Sequence, residues 1–273
     1  MFRNSKLNYL SVFTIGYLLL SLLSLPFIEH TLLLWLFALF HFCWFGLASS
    51  MYYHRYLTHR TFKLNIFVEY FFLLGGLIGL GGDPVKWAAI HRFHHQNSDH
   101  DNDSHSPKHG FLWAYYGWVL HHDNALIAKL KKSHAKDLLK IPHLKICSNV
   151  AVESIPHAIY IVVVAYFLGI EFAIVGVIFS CLMSYNFHWM LIASLCHIPF
   201  FGYRRFDLPD QSRNVKWLSF LSFGEAMHNN HHRYPNHINL SSSLLEFDFV
   251  NRFVGFLEIF GLASDVKRVK YEK

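Results

Sequence analysis

Long apolar stretches with almost no charged side chain constrain the fold of this sequence more than any other feature. Residues 7–28, 31–53 and 172–196 contain no Asp, Glu, Lys or Arg, and residues 150–170 contain only Glu153. A helix of about 20 apolar residues, rising about 1.5 Å per residue, spans the roughly 30 Å hydrocarbon core of a bilayer. The four stretches therefore predict four transmembrane helices.

Short turns separate the members of each pair of predicted spans, which predicts two helical hairpins. Pro26, Glu29 and His30 lie in the first turn, and Glu171 marks the second. Residues 66–82 are also apolar but are shorter, contain Glu69 and end in glycines. We expect a buried or interfacial helix there instead of a fifth span.

The placement of positive charge predicts the orientation in the membrane. All 24 Lys and Arg lie before the first predicted span, between residues 53 and 150, or after residue 196. The positive-inside rule then places both termini in the cytoplasm, together with a cap formed by residues 54–149 and 197–273. The prediction is one all-α integral membrane domain over residues 1–273. The net charge of +6 comes with no soluble basic module, so nucleic acid is not an expected partner.

Histidine is unusually frequent, at 21 of 273 residues, and it is clustered. One cluster is the pair His54 and His59, spaced as H-x-x-x-x-H. Two others have the spacing H-x-x-H-H, and they consist of His91, His94 and His95, and of His228, His231 and His232. At this histidine frequency roughly 0.1 such motifs are expected by chance. All three clusters lie in the predicted cytoplasmic cap.

The spacing of these clusters points to a metal site. Residues at i, i+3 and i+4 lie on one side of a helix, so each H-x-x-H-H motif is expected to direct three imidazoles to one side. Imidazole binds zinc, copper, iron and nickel well. Eight ligands are too many for one tetrahedral ion, so we expect two metals, and redox iron suits the ligand set better than structural zinc.

Other metalloprotein patterns fit less well. Soluble di-iron proteins use two Glu-x-x-His motifs, whereas Glu225 and His228 form the only one here. The zincin motif H-E-x-x-H is absent from the sequence. A non-enzymatic metal-binding membrane protein stays open as an alternative, although its ligands would be expected within the spans.

The flanking residues add to the pattern. Thr61-Phe62-Lys63 follows the first cluster, and Gly110-Phe111-Leu112-Trp113 follows the second. Gly224-Glu225 precedes the third cluster, and Tyr234-Pro235-Asn236 follows it. Over residues 30–240 the sequence resembles the membrane fatty acid desaturases, closest to the stearoyl-CoA (delta-9) type.

This resemblance implies a site and a reaction. It adds His197 as a ninth metal ligand, and it assigns Glu225, Asn229 and Asn230 to orienting ligand imidazoles. It implies two Fe ions, O2 as co-substrate, and formation of a cis double bond in a saturated acyl chain carried on CoA or a lipid. It also implies an external electron donor of the ferredoxin or cytochrome b5 type. The location expected is the bacterial inner membrane, or the endoplasmic reticulum of a eukaryote.

Three positions depart from the family pattern. Ala193 stands where acyl-CoA desaturases have an asparagine, and Ala89-Ile90 replaces an Arg-Asp pair that contacts CoA in animal members. Asp103-Ser104-His105 replaces the usual Asp-Pro-His. These departures leave the acyl carrier open. A membrane fatty acyl or lipid hydroxylase with the same metal core is the alternative enzyme.

Overall fold

The computed structural model describes residues 6–243 and 245–271, and it is predominantly helical. The α-helices up to the middle of the chain are α1 (Tyr9–Ser24), α2 (Leu32–Leu47), α3 (Ile66–Ile78), α4 (Pro84–Asn97), α5 (Trp118–Leu120), α6 (Asn124–His134) and α7 (Pro142–Cys147). Those that follow are α8 (Val150–Leu168), α9 (Ser180–Tyr185), α10 (Leu191–Leu195), α11 (Lys216–Leu221), α12 (His228–Arg233) and α13 (Phe249–Ile259). The strands are β1 (Lys6–Leu7), β2 (Lys63–Leu64), β3 (His121–His122) and β4 (Ala263–Ser264).

Two helical rods are long and apolar enough to cross a membrane. One covers Leu32–Thr58, because π-helical residues Ala48–Thr58 continue α2 without a break. The other covers Phe172–Leu195 and contains α9 and α10. The helices predicted for residues 7–28 and 150–170 are present as the shorter apolar segments Ser11–Phe27 and Val152–Leu168. The structure therefore has apolar helices in all four predicted stretches, and two of them have the length of a span.

The helix that contains the second predicted span, residues 31–53, continues to Thr58. Arg55, which should have ended an apolar helix, is almost fully buried and is paired with Glu225 and Asp248. Because these carboxylates neutralise the guanidinium, the helix continues past it. As a result His54 lies on the same rod as the apolar residues of α2.

Helix α3 packs against α2 and α8 through a surface of small residues. A Cβ atom built on Gly75 would lie 2.5 Å from the Trp44 ring, and one on Gly76 would lie 2.6 Å from the Tyr53 ring. The opposite side of α3 exposes Tyr70 and Leu74. This one-sided burial is the pattern expected of a helix at a membrane interface.

The remaining elements form a cap over one end of the two rods. Helix α4 packs against α6 and against the π-helical end of the first rod. Strand β2 pairs with β4 in antiparallel register, with Lys63 opposite Ser264 and Leu64 opposite Ala263. This pairing fixes the end of α13 beside the start of α3, so the C-terminal part of the chain closes over the site.

Candidate metal centre

Nine histidines predicted from sequence come together in the cap as two adjacent groups. The five-histidine group consists of His54, His59, His91, His95 and His231. The four-histidine group consists of His94, His197, His228 and His232. Within each group the candidate ligand atoms all lie within 4.8 Å of one another. The chain thus brings together residues up to 178 positions apart in sequence.

Each H-x-x-H-H motif contributes histidines to both groups. The sequence predicted instead that the three imidazoles of a motif would lie on one side of the helix. On α4, His91 and His95 belong to the five-histidine group, whereas His94 belongs to the other. On α12 the division is reversed, since His228 and His232 join the four-histidine group and His231 joins the five-histidine group. Positions i+3 and i+4 differ by about 100° around a helix, so a helix lying between two centres supplies both.

Ring-nitrogen distances fit ligands that share a metal ion. The Nε2 atom of His231 lies 3.1 Å from the Nε2 atom of His54 and 2.9 Å from that of His95. In the other group the Nε2 atoms of His228 and His232 are 3.0 Å apart. Two nitrogens bound at about 2.1 Å and at right angles around one ion would be about 3.0 Å apart.

Buried nitrogens without partners support the same interpretation. Among the described residues, the Nε2 atoms of His59, His94 and His197 are buried and have no hydrogen-bond partner. A buried polar atom without a partner costs roughly 1–3 kcal/mol. A metal ion at the centre of each group would satisfy these atoms, and nine neutral imidazoles fit two transition-metal ions such as iron.

Four carboxylates contact the Nδ1 atoms of four of these rings, on the side of each ring opposite Nε2. The Nδ1 atom of His54 contacts Glu225, which was predicted for this role. Three aspartates were not predicted: Asp103 lies 2.9 Å from His94, Asp99 lies 2.9 Å from His197, and Asp210 lies 2.9 Å from His232. A carboxylate on the Nδ1 side fixes the tautomer and leaves Nε2 free for a metal.

Asn229 and Asn230 form hydrogen bonds that hold the loops around the site. The Asn229 side chain accepts hydrogen bonds from the backbone N–H groups of Arg205 and Phe206, in the loop that carries Asp210. The Asn230 amide donates to the Leu240 carbonyl and to Glu246. In the described part of the chain, the hydrogen bonds of these two side chains go to loop residues and not to ligand rings. The predicted role was to orient ligand imidazoles directly.

The electrostatics of the site keep most of the rings neutral. Burial, followed by repulsion from neighbouring histidines, holds the pKa of His91, His95 and His231 well below the usual value. Burial lowers the pKa of His94, but Asp103, together with Asp99 and Asp210, outweighs burial and the pKa is raised. Burial opposes ionisation of Asp99, yet its contact with His197 lowers the pKa to about 2. The result is that His91, His95 and His231 are kept neutral, whereas His94 is paired with an ionised carboxylate.

His105, which was not predicted as a site residue, lies beside the four-histidine group. It forms a third cluster of candidate ligands with His94 and Asp103, and its ring stacks on that of His94 with centroids 4.1 Å apart. The sequence feature that could have identified His105 is its position in Asp103-Ser104-His105, shortly after the second histidine cluster.

A large cavity lies between the cap and the apolar helices. Its volume is about 550 Å³, and its walls come from α1, α4, α6, α8 and the second rod. Trp87 and Trp189 lie at its inner end, with ring centroids 5.9 Å apart. The same two tryptophans line a smaller cavity of about 30 Å³ beside His54, His91 and His228. The large cavity therefore ends next to the candidate metal centre.

Comparisons with known proteins agree with this arrangement. The family model described as fatty acid desaturase matches residues 29–241. The chain is 37% identical over 223 residues to delta-9 acyl-lipid desaturase 1 of Arabidopsis thaliana, covering 81% of this chain and 71% of that protein. It is 34% identical over 226 residues to sn-1 stearoyl-lipid 9-desaturase of Anabaena variabilis, covering 81% and 79%.

One relative matches over nearly the full length of the chain. This is the probable lipid desaturase ADS3.2, chloroplastic, of Arabidopsis thaliana, which is 31% identical over 259 residues, covering 94% of this chain and 69% of that protein. The family match covers well over half of the chain and includes all three histidine clusters and His197. With two histidine groups, their carboxylates and an adjoining cavity, the chain belongs to the fatty acid desaturase family.

Proposed function

We propose that this fatty acyl desaturase forms a cis double bond near carbon 9 of a saturated acyl chain. It would use two irons, O2 and two electrons from a separate carrier protein. The observation that carries the proposal is the pair of histidine groups, which two tryptophans, Trp87 and Trp189, separate from the large cavity. The relatives' names, which specify delta-9 and stearoyl-lipid 9-desaturases, support the position of the double bond.

The nine histidines are the proposed ligands of the two irons. His54, His59, His91, His95 and His231 would hold one, and His94, His197, His228 and His232 the other. Bound iron would supply the O2 activation and carbon–hydrogen oxidation that protein side chains alone lack. Glu225, Asp99, Asp103 and Asp210 would keep the rings in their binding orientation.

The large cavity is the proposed acyl site. Its apolar walls, including Leu18, Ile90 and Ile127, suit a hydrocarbon chain. Trp87 and Trp189 narrow the passage at its inner end, and Trp87 stacks on the ligand His91 with ring centroids 5.0 Å apart. These aromatic walls would hold a methylene beside the site and keep bulk water away from it.

Charge and composition are the basis for the proposed membrane topology and electron donor. We propose four spans with both termini cytoplasmic, in a bacterial inner membrane or in the endoplasmic reticulum of a eukaryote. Ferredoxin or a cytochrome b5 type protein would deliver electrons to the cap, whose many Lys and Arg residues favour an acidic carrier. The acyl carrier is proposed to be CoA or a membrane lipid.

The test is a fatty acid methyl ester profile of a desaturase-deficient host expressing the chain. We expect a new monounsaturated acid, and we expect His231→Ala to reduce it at least 100-fold, because that ring nitrogen lies at the centre of the five-histidine group. His100→Ala, at an exposed histidine in the same cap, is the matched control and should leave the product unchanged. A hydroxylated acid instead of an alkene would identify a hydroxylase, and full activity of His231→Ala would remove that residue from the site.

A further inference from the structure

Buried histidines outside the two metal groups share a hydrogen-bond pattern in the apolar helices. In the described chain these are His41, His157 and His188, and the Nδ1 atom of each contacts a backbone carbonyl oxygen. A carbonyl only accepts hydrogen bonds, so Nδ1 carries the ring proton and Nε2 is left as an acceptor. His41 Nε2 accepts from the Tyr160 hydroxyl at 2.8 Å, and His157 Nε2 accepts from the Tyr17 hydroxyl at 3.0 Å.

The Nε2 atom of His188 is the exception, since it is buried and has no hydrogen-bond partner among residues 6–243 and 245–271. Its ring packs against the rings of Phe42 and Phe223, with centroids 5.1 and 4.5 Å away. Gly46 lies beside Nε2, because an added Cβ there would be 2.6 Å from this atom. None of these three neighbours has a side-chain donor. The ring also lines the small cavity of about 30 Å³ beside the metal groups, so a donor can reach Nε2 from that cavity.

His228, a proposed metal ligand, lines the same cavity and lacks the complementary partner. Its Nε2 atom lies 3.0 Å from that of His232 within the four-histidine group. With Nε2 on a metal ion, Nδ1 carries the proton and requires a hydrogen-bond acceptor. Aspartates supply this acceptor to the other three rings of the group, whereas the buried Nδ1 atom of His228 has no partner in the described chain. One cavity therefore adjoins an acceptor without a donor and a donor without an acceptor.

A water molecule satisfies both nitrogens, because it donates and accepts hydrogen bonds at once. A buried water needs about 10–15 Å³ and two to four polar partners, so a cavity of about 30 Å³ has room for one or two. Ile192 and Ala193 contribute apolar side chains to the wall and do not compete for these hydrogen bonds. A bridging water is nearly as favourable as a direct hydrogen bond.

We infer that His188 is a positioning residue that holds a bound water in the small cavity, and that this water orients the metal ligand His228. The water donates to His188 Nε2 and accepts from the Nδ1–H group of His228. The inference rests on the proposed function for the metal ion at His228. It deepens that proposal by naming what fixes the one ring of the four-histidine group that has no aspartate.

Iron retention by the whole protein tests this role without requiring turnover. Iron-loaded protein would be dialysed against increasing concentrations of a chelator, and iron per chain would be measured. We expect His188→Leu, which has no acceptor atom, to weaken iron binding at the four-histidine group by about tenfold, since the His228 ring loses its orienting partner. The other iron should be retained as in the unaltered protein. His188→Gln, whose amide oxygen accepts a hydrogen bond, should keep most of the affinity.

His41→Leu is the matched control, because His41 has the same Nδ1 contact but a protein partner for Nε2. This variant should keep the iron affinity of the unaltered protein, and thermal melting would show that all three variants are folded. Equal iron loss in His41→Leu, or a loss in His188→Gln as large as in His188→Leu, would overturn the inference.

A structure of the unaltered protein at a resolution that shows bound water is an independent test that needs no variant. We expect a water within about 3.2 Å of both His188 Nε2 and His228 Nδ1. A small cavity without water at these nitrogens would overturn the inference even if iron is bound. The same water in a protein that takes up no iron would contradict the proposed function alone.

Discussion

The Nδ1 contacts of the histidines are single hydrogen bonds whose effect on metal binding is measurable. Asp210 is the most suitable of the four carboxylates, because its side chain is 13% exposed and its loss should be tolerated by the fold. We predict that Asp210→Ala weakens iron binding at the four-histidine group by about 10–100-fold, since the His232 ring loses the partner that orients it. Iron per chain after dialysis against a chelator would measure this.

Asp207 provides the matched control for that prediction. It lies three residues earlier in the same loop, is fully exposed and contacts only the surface residue Arg204 among the ion pairs of the described chain. Asp207→Ala should keep the iron content of the unaltered protein. Equal iron loss in both variants would show that the loop, and not the hydrogen bond to His232, determines the affinity.

The lowered histidine pKa values predict an acid-sensitive fold in the metal-free protein. His91, His95 and His231 have pKa values well below 6.5 in the folded chain, because of burial and then of neighbouring rings. Below about pH 6.5 the unfolded chain binds more protons than the folded one, so stability is present above that pH and is lost as the pH falls. His94, whose pKa is raised, opposes this trend. Thermal melts between pH 8 and 5 should show a falling melting temperature; a constant one would contradict the assignment.

Residue spacing pointed to eight of the nine histidines and the family resemblance to the ninth, His197, but neither pointed to three of their partners. His91, His94 and His95 are neighbours on one helix, so their pattern is visible in a short window of sequence. The partner of His197 is Asp99, which is 98 positions away, and such pairings depend on how loops fold over the site. Only Glu225 was identified in advance, because it lies three residues before His228 and matches the family pattern.

Glycines of α3 pack against aromatic rings of the first rod and hold its histidine-bearing end in place. We predict that Gly76→Ala destabilises the protein by about 1–3 kcal/mol, because the new methyl group would meet the Tyr53 ring at 2.6 Å. Tyr53 precedes His54, so a shift of this ring should also lower iron content. Gly255→Ala in α13, where the nearest atom is 3.8 Å away, should instead be neutral or slightly stabilising. Thermal melts of both variants would measure the difference, and equal melting temperatures would contradict it.

The end of the first rod shows that the apolar pattern alone does not determine where a helix ends. The first rod continues to Thr58 because Arg55 is buried against Glu225 and Asp248, which are about 170 and 193 positions away. A window of sequence around Arg55 contains no sign of these partners, so the apolar pattern alone does not predict that the helix continues past this charged residue. The division of each H-x-x-H-H motif between two metal groups was missed for a similar reason, since it depends on α4 and α12 lying between both centres.

For the whole molecule, the number of spans decides how the cap and the turns are placed across the membrane. Four spans put the turn at residues 28–31 and the turn at 169–171 outside, and both termini inside. If residues 7–28 do not cross while the other three stretches do, the turn at 28–31 stays outside but the N-terminus moves to the same side as that turn. The side of the N-terminus therefore distinguishes the two topologies.

Labelling of single cysteines in intact cells, in a variant lacking the native cysteines, measures these positions. We expect an impermeant thiol reagent to modify His30→Cys and Ile170→Cys, which are exposed positions in the two turns. It should not reach Lys129→Cys in the cap or an N-terminal tag cysteine until the membrane is permeabilised. Modification of the tag in intact cells would contradict the four-span topology and also the pairing of β1 with β3 of the cap. Because α1 lines the large cavity through Ser11, Ile15 and Leu18, that outcome would remove these residues from the proposed acyl site.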